Sequence, residues 1–188
     1  MTQTGVPAEA LVTGRLPIRL HHNAYVTNDL AATREFYEEV IGMPLVATWA
    51  EVAELQGKTV EYCHCFFGIQ DGSALAFFQF VDADDQRHFG PELASSPFRH
   101  IALATDERTQ NEIEDRIKKA GITAPRTFRI DHGYCLSLYV VDPNGLILEF
   151  TLDPPDIDAL NATKLASAHD DLARWLRGDH SPNNDYRH

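Results

Sequence analysis

The sequence predicts an α+β fold of two tandem βαβββ modules followed by a C-terminal helix. The first observation behind this prediction is an internal repeat. Each half opens with a strand histidine, continues with an aspartate suited to cap a helix, and reaches a glycine suited to end it. These residues are His22, Asp29 and Gly42 in the first half, and His100, Asp106 and Gly121 in the second. We therefore expect mixed sheets that curve together into a cup.

The first module shows apolar strand patterns separated by helix and turn signals. A strand is predicted at 19–27, and a helix follows Asp29 as its N-cap. Further strands are predicted at 44–51, 61–69 and 74–81, with a turn at Asp71-Gly72 in the last hairpin. Residues 82–97 are polar and are predicted to form a connection between the modules.

The second module repeats this order and ends in the most informative stretch of the chain. The predicted elements are a strand at 99–105, a helix at 107–120, and strands at 126–130, 134–141 and 146–152. Asp142-Pro143-Asn144-Gly145 has the residues of a tight turn between the last two strands. After Pro154-Pro155, residues 157–176 are predicted to form an amphipathic helix.

These signals give a domain plan for the 188 residues. We expect a flexible N-terminal arm at 1–16 and a single domain at 17–153, with modules at about 17–82 and 98–153. A C-terminal helix at 154–177 and a disordered tail at 178–188 complete the plan. The helix has an apolar stripe that we expect to be buried, formed by Leu160, Leu165, Leu172, Trp175 and Leu176.

Composition excludes several classes of partner. The formal net charge is −12, which argues against nucleic acid because phosphate binding needs a basic surface. No apolar run reaches membrane-spanning length, and residues 1–15 lack the features of a signal peptide. A cytoplasmic location is therefore expected. Cys63, Cys65 and Cys135 are then interpreted as reduced, buried, small apolar residues.

Glu149 is the residue that points to chemistry. It lies in the middle of the last predicted strand, in a segment that is otherwise almost entirely apolar. A carboxylate there is costly unless something pairs with it, and a metal ion is one such partner. If the first strands of the two modules lie side by side, His22 and His100 converge with Glu149. Two imidazoles and one carboxylate suit a non-haem Fe(II) site, although a strand histidine can also be purely structural.

The repeat, with its strand histidines and with Phe36-Tyr37 in the first helix, resembles the vicinal oxygen chelate superfamily, which includes glyoxalases, bleomycin resistance proteins and dioxygenases. A second segment is more specific. It resembles the signature of one-domain type I extradiol ring-cleaving dioxygenases, of the biphenyl-2,3-diol 1,2-dioxygenase kind. The residues that carry this resemblance are Ile130, His132, Leu138-Tyr139, Asp142-Pro143, Gly145 and Glu149.

The resemblance implies a role for each matching residue. His22, His100 and Glu149 would be ligands of Fe(II), arranged at one metal site within the cup. Tyr139 would hydrogen-bond a hydroxyl oxygen of a catechol, and His132 would act as an acid and base. The implied reactants are a small aromatic diol, such as 2,3-dihydroxybiphenyl, and O₂. His132 could instead be a turn residue, and Tyr139 a packing aromatic.

The sequence departs from this pattern and leaves alternatives open. Larger relatives carry a further catalytic histidine near the hairpin that closes the first module, where this chain has none; His64 and His88 are the nearest. Gln79 could be a fourth ligand, as in related lyases and isomerases, or a half-buried amide. The alternative functions are a divalent-metal lyase or isomerase of the glyoxalase or epimerase type, and a metal-free binding protein of the resistance type. A homodimer or higher homo-oligomer is also expected.

Overall fold

The computed structural model describes residues 17–92, 94 and 96–186. Within them it confirms two tandem βαβββ modules, each built around a four-stranded mixed sheet, and a C-terminal helix. The flexible arm that we predicted at 1–16 lies outside the described residues, as do residues 187 and 188 of the predicted tail.

The first module contains one helical segment and four strands. Its strands are β1 (His22–Val26), β2 (Leu45–Leu55), β3 (Lys58–Gly68) and β4 (Ala74–Phe80). They lie in the order β1-β4-β3-β2, with β1 parallel to β4 and the other pairs antiparallel. The helix α1 (Leu30–Arg34) continues directly into a π-helical segment (Glu35–Ile41).

Both ends of this helical segment form as the sequence predicts. The Asp29 carboxylate accepts a hydrogen bond from the Ala32 backbone N–H, which satisfies one of the free donors of the first turn. At the other end Gly42 has a φ of +88°, a left-handed conformation that costs glycine little. The capping residues of the repeat therefore mark its helix correctly.

The connection between the modules contains a helix that the sequence analysis missed. Helix α2 (Ala83–Phe89) begins after Asp82, whose carboxylate accepts hydrogen bonds from the backbone N–H groups of Asp84 and Asp85. This segment is polar and lacks an apolar period, so its pattern predicts only a polar connection. The capping aspartate was the signal available in the sequence.

The second module repeats the arrangement of the first. It comprises β5 (His100–Ala104), α3 (Glu107–Lys119), β6 (Thr127–Asp131), β7 (Leu136–Val141) and β8 (Ile147–Leu152). Its sheet has the order β5-β8-β7-β6, and β5 is again parallel to β8. The predicted elements are confirmed to within a few residues at each end.

The two modules share one hydrophobic core, built from the helix-covered face of each sheet. Tyr37, Phe67 and Phe77 from the first module belong to the same buried cluster as Ile117 and Leu138 from the second. The π-helical segment and α3 are in contact with each other. Each sheet therefore packs its helix towards the other module and turns its opposite face away from the shared core.

Directed polar contacts fix one module against the other. The Arg116 guanidinium of α3 donates hydrogen bonds to the carbonyl oxygens of Val40 and Ile41, at 3.0 and 2.7 Å, near the end of the π-helical segment. The buried Tyr37 hydroxyl donates to the Asp142 carboxylate at 3.1 Å. Because buried polar groups are costly without partners, these bonds specify one relative orientation.

This packing separates the two first strands. We expected β1 and β5 to lie side by side, but each lies at an edge of its own sheet. Within the described part of the chain, no strand of one sheet pairs with a strand of the other. The expectation of adjacent first strands is therefore wrong for a single chain.

The C-terminal helix α4 (Ile157–Leu176) has the predicted bounds but a different environment. None of its described residues is buried, so the prediction of a buried stripe is wrong. Leu172 and Trp175 are more than half exposed. The following chain returns along the helix, where Arg174 donates a hydrogen bond to the Ser181 carbonyl oxygen. None of the helices in the described residues combines the length and apolar character that crossing a bilayer requires.

An ion pair between β6 and α3 provides a test of this packing. Arg129 holds Glu114 with two hydrogen bonds, at 3.0 and 3.1 Å. These bonds, together with Lys118, lower the pKa of Glu114. A carboxylate with a lowered folded-state pKa stabilises the fold above its unfolded pKa and loses that contribution as pH falls through the folded value.

We therefore expect Glu114→Gln to reduce the free energy of unfolding at pH 7 by about 0.5–1 kcal/mol. The difference from wild type should shrink as pH falls below about 4. Urea unfolding at a series of pH values measures this. Glu112→Gln, which removes a more exposed carboxylate from the same helix, is the control and should have a smaller effect. A pH-independent loss for Glu114→Gln would contradict the assignment.

Candidate metal centre

His100 and Glu149 meet on the face of the second sheet that is turned away from the shared core. Strands β5 and β8 are parallel neighbours, and their register places Glu149 opposite Ala102, two residues after His100. This brings His100 Nε2 to 2.9 Å from Glu149 Oε2. The small side chain of Ala102 leaves space for the approach. Two of the three predicted metal ligands are therefore adjacent.

The Glu149 carboxylate is buried, with a side chain that is only 7% exposed, and has polar neighbours at both oxygens. The Ser137 hydroxyl on β7 donates a hydrogen bond to Oε1 at 2.6 Å. Within the described residues, neither lysine nor arginine forms a salt bridge with it. Glu149 is therefore not a structural ion-pair residue, and its partners belong to the histidine cluster.

His132 and Tyr139 lie beside this pair. His132 Nε2 is 2.9 Å from the Tyr139 hydroxyl and 3.9 Å from Glu149 Oε1. Burial raises the pKa of Tyr139, and its interactions with Glu149 raise it further. The phenol therefore remains protonated at neutral pH. This gives the cluster a hydroxyl and an imidazole that can exchange a hydrogen bond, with roles set by the imidazole tautomer.

Aromatic rings surround this cluster. Phe128 stacks on Tyr139 with ring centroids 4.9 Å apart, and Tyr134 stacks on His132 at 5.7 Å. Phe128 and Tyr134 are each 38% exposed. Ser137, Phe128 and Tyr134 were not among the predicted site residues. Ser137 shares the strand parity of Tyr139, which was the only available signal, because its contact with Glu149 depends on the register of β7 and β8.

His22 lies elsewhere, on the outer face of the first sheet. Its Nδ1 is 2.9 Å from that of His21, and its ring makes an edge contact with Phe66. It borders a shallow cavity of about 220 Å³ that Trp49 and Phe66 also line. In the part of the chain that the structure describes, no three His, Cys, Asp or Glu side chains form a group that could hold a metal ion. One chain does not bring the three predicted ligands together.

The half-site is the cluster on the second sheet formed by His100, Glu149, Ser137, His132 and Tyr139. The strand registers also show which residues of the first module correspond to it. His22 corresponds to His100, and Ala76 stands where the second module has Glu149. Phe66 is the counterpart of Tyr139. The repeat therefore keeps only the histidine, and the first module contributes an apolar, aromatic face around it.

Gln79, a candidate fourth ligand, forms hydrogen bonds with the backbone at the start of α1 instead of facing the metal-ligand side chains. It lies on the opposite face of β4 from Ala76, because strand side chains alternate. Its side-chain oxygen accepts a hydrogen bond from the Leu30 backbone N–H at 3.0 Å, and its amide nitrogen donates to the Asn28 carbonyl oxygen. Its interpretation as a ligand is therefore wrong, and the half-buried amide is the better description.

The two histidines that lie nearest to the hairpin of the first module in sequence, His64 and His88, are separate from the half-site. His64 lies between the rings of Phe66 and Phe78, with centroids 4.2 and 3.7 Å away, and burial lowers its pKa. His88 lies on α2 at the surface, near the side-chain oxygen of Gln56. Neither contacts Glu149 or His100 within the described residues.

The half-site has the donor atoms that a divalent metal needs. An imidazole nitrogen and a carboxylate oxygen face each other at 2.9 Å, and the His100 side chain is 33% exposed on the open side. Imidazole and carboxylate together suit Fe(II) and Mn(II). Ser137 would then orient the carboxylate, as hydrogen-bond partners of metal ligands commonly do. The residues present therefore fit the predicted metal, with at least one ligand still to be supplied.

The role of Ser137 can be tested by substitution. Ser137→Ala removes the hydrogen bond to Glu149 Oε1, so the carboxylate should lose its fixed orientation. We expect Mn(II) affinity to fall by about 10- to 100-fold with little change in the circular dichroism spectrum. Titration followed by electron paramagnetic resonance measures this. Ser167→Ala, on α4, is the control and should bind Mn(II) like wild type. Unchanged affinity in Ser137→Ala would exclude this orienting role.

Comparison with known proteins agrees with this fold. FosX, a fosfomycin resistance protein from Listeria monocytogenes, superimposes with a TM-score of 0.53 at 17% identity, over 76% of this chain and 99% of its own. A structure of FosX complexed with Mn(II) and sulfate matches over 77% of this chain and 99% of its own, with a TM-score of 0.52 and 17% identity. A glyoxylase/bleomycin resistance protein/dioxygenase domain from Frankia sp. EAN1pec has a TM-score of 0.53 at 17% identity, over 75% and 95%.

No curated protein matches the chain. The family model that matches covers residues 19–150, which includes both modules except the last two residues of β8, and every residue of the half-site. The chain belongs to the Glyoxalase/Bleomycin resistance protein/Dioxygenase superfamily.

Proposed function

We propose that this protein is an Fe(II)-dependent extradiol dioxygenase that opens a catechol-type aromatic ring with O₂. The observation that carries the proposal is the position of His132 Nε2, 2.9 Å from the Tyr139 hydroxyl and beside the Glu149–His100 pair. A proton-exchanging imidazole and a phenol next to two metal-ligand side chains suit a reaction that must deprotonate and orient a diol.

The side chains have distinct tasks in this reaction. Glu149 and His100 would hold Fe(II), which would supply redox and Lewis-acid chemistry for the diol and O₂ and stabilise developing negative charge. Tyr139 donates a hydrogen bond to one diol oxygen and so fixes the ring. His132 accepts a proton as the diol binds and returns one as the ring opens. A carbon–carbon bond beside the diol breaks, and both atoms of O₂ enter the ring-opened product.

The surroundings favour an aromatic substrate over a phosphorylated or phosphonate one. Phe128 and Tyr134 border the half-site, while Trp49 and Phe66 border His22. In the described residues, no lysine or arginine forms a salt bridge with Glu149 or lines the cavity at His22. Recognition of a doubly charged anion normally uses such cations. Flat rings, by contrast, are well matched to aromatic walls.

The third ligand, His22, is proposed to come from a second copy of the chain. Each sheet turns its histidine-bearing face away from the shared core, so the two faces of one chain diverge. Both faces also leave aromatic side chains exposed: Trp49 on one is 59% exposed, and Phe128 and Tyr134 on the other are each 38% exposed. Packing the first module of one copy against the second module of another covers these rings and completes the donor set.

The first experiment separates the candidate reactions. The protein, freed of metal, is reconstituted anaerobically with Fe(II) and mixed with 2,3-dihydroxybiphenyl or catechol in air. We expect O₂ uptake and a yellow product, and we expect Glu149→Gln to lose both. Activity on hemithioacetals with Zn(II), Ni(II), Mn(II) or Co(II) would instead support a lyase or isomerase. Tight ligand binding without metal would support a sequestering protein.

A mixing experiment tests whether two copies build the site. His22→Ala and Glu149→Ala should each be inactive alone. If the ligands come from different copies, a mixed dimer contains one intact site and one doubly damaged site. Refolding the two variants together should then restore about a quarter of wild-type activity, because half of the dimers are mixed and each mixed dimer has one intact site out of two. No restored activity would overturn the proposal that two copies share one site. Capture of the untagged variant by an affinity-tagged copy of the other variant verifies that mixed dimers have formed.

A further inference from the structure

The C-terminal segment encloses a second cavity, next to the half-site. It measures about 340 Å³ and lies between α4, the chain that follows the helix, and the ring of Tyr134. This segment begins after the family match ends at residue 150, so the cavity depends on an addition to the two-module fold. The polar and aromatic lining residues are Tyr134, Asn161, Lys164, Asn183, Asn184 and Tyr186.

The cavity is lined by hydrogen-bond donors and carries one positive charge. Lys164 contributes an ammonium group, and three asparagines contribute amides. No aspartate or glutamate is among the lining residues that the structure describes, although the chain has a formal net charge of −12. In the same part of the chain, Lys164 forms no salt bridge; its nitrogen donates to the Asn183 carbonyl oxygen at 3.3 Å. Asp171 lies close enough for Lys164 to lower its pKa, but the two form no salt bridge, so the ammonium group can still bind an anionic ligand.

The remaining lining residues suit an aromatic or apolar portion of a ligand. The rings of Tyr134 and Tyr186 border the cavity together with Leu160. Lys164 lies 5.5 Å from the centroid of the Tyr186 ring. One cation among amides suits a singly charged carboxylate, whereas a phosphate dianion would normally recruit more cationic groups. The chemistry of the lining therefore corresponds to an organic acid with a flat or apolar portion.

Tyr134 connects the cavity to the half-site. Its ring lines the cavity and also stacks on His132, which lies 2.9 Å from the Tyr139 hydroxyl. A molecule whose diol lies near Tyr139 could therefore extend a short side chain past Tyr134 towards Lys164. The two sites are neighbours that share one aromatic wall.

We propose that this cavity binds the carboxylate of an acidic side chain on the aromatic substrate, with Lys164 as the residue that determines this specificity. The proposal rests on the proposed ring-opening function and names the class of diol that it acts on. The substrate is then a catechol that carries a short carboxylate side chain, held by its diol at one end and by its acid at the other.

Binding by the metal-free protein tests the cavity without requiring turnover. The probes are 3-phenylpropionate and its neutral counterpart propylbenzene, titrated by calorimetry. We expect the acid to bind and Lys164→Met to weaken it at least tenfold. Lys119→Met, which removes an exposed lysine from α3, is the control and should bind like wild type. No binding of the acid, or equal binding by Lys164→Met and wild type, would overturn the proposal.

Turnover then links the cavity to the reaction. For the Fe(II)-loaded protein, 3-(2,3-dihydroxyphenyl)propionate should have a kcat/KM at least tenfold above that of 3-propylcatechol. Lys164→Met should remove this preference by raising KM for the acid. A preference that survives in Lys164→Met would overturn the proposal. Binding of the acid through Lys164 without opening of either ring would support the cavity and reject the ring-opening function.

Discussion

The packing of the two modules against each other, helix side to helix side, determines the rest of the molecule. One buried cluster joins both halves, and Arg116 and Tyr37 add directed hydrogen bonds across the junction. Once the helix-covered faces are buried together, the opposite face of each sheet must point away. His22 and the His100–Glu149 pair lie on these opposite faces. The constraint that stabilises the chain thus also prevents it from completing the predicted metal site alone.

Glu149 shows how a costly residue can indicate function. Burial of a carboxylate is unfavourable unless hydrogen bonds or opposite charge offset it. Here a serine hydroxyl and an imidazole are its neighbours, and neither lysine nor arginine forms a salt bridge with it among the described residues. Such an environment orients the carboxylate without neutralising it permanently. A divalent cation is the partner that we propose for this carboxylate.

The C-terminal segment adds a cavity to the two-module fold. The helix α4 buries none of its described side chains, so the shared core does not require it. The helix and Tyr134 line the same cavity, and the Tyr134 ring stacks on His132 of the half-site. The family match ends before this helix begins. An added element at the edge of a site is well placed to adjust substrate choice while the central side chains stay the same.

The sequence by itself determined the repeat, the strand and helix order, and the side chains with unusual chemistry, because these depend on local periodicity, capping residues and turn residues. Asp29, Gly42 and the interruption of an apolar strand by Glu149 could all be recognised without coordinates. The tertiary structure decided which side chains are in contact. Strand register and the choice of buried faces decided three features of the site. These are the hydrogen bond from Ser137 to Glu149, the hydrogen bond from the Leu30 backbone to Gln79, and the separation of His22 from His100. A local pattern specifies which face of a strand a residue occupies, but only long-range packing decides where that face points.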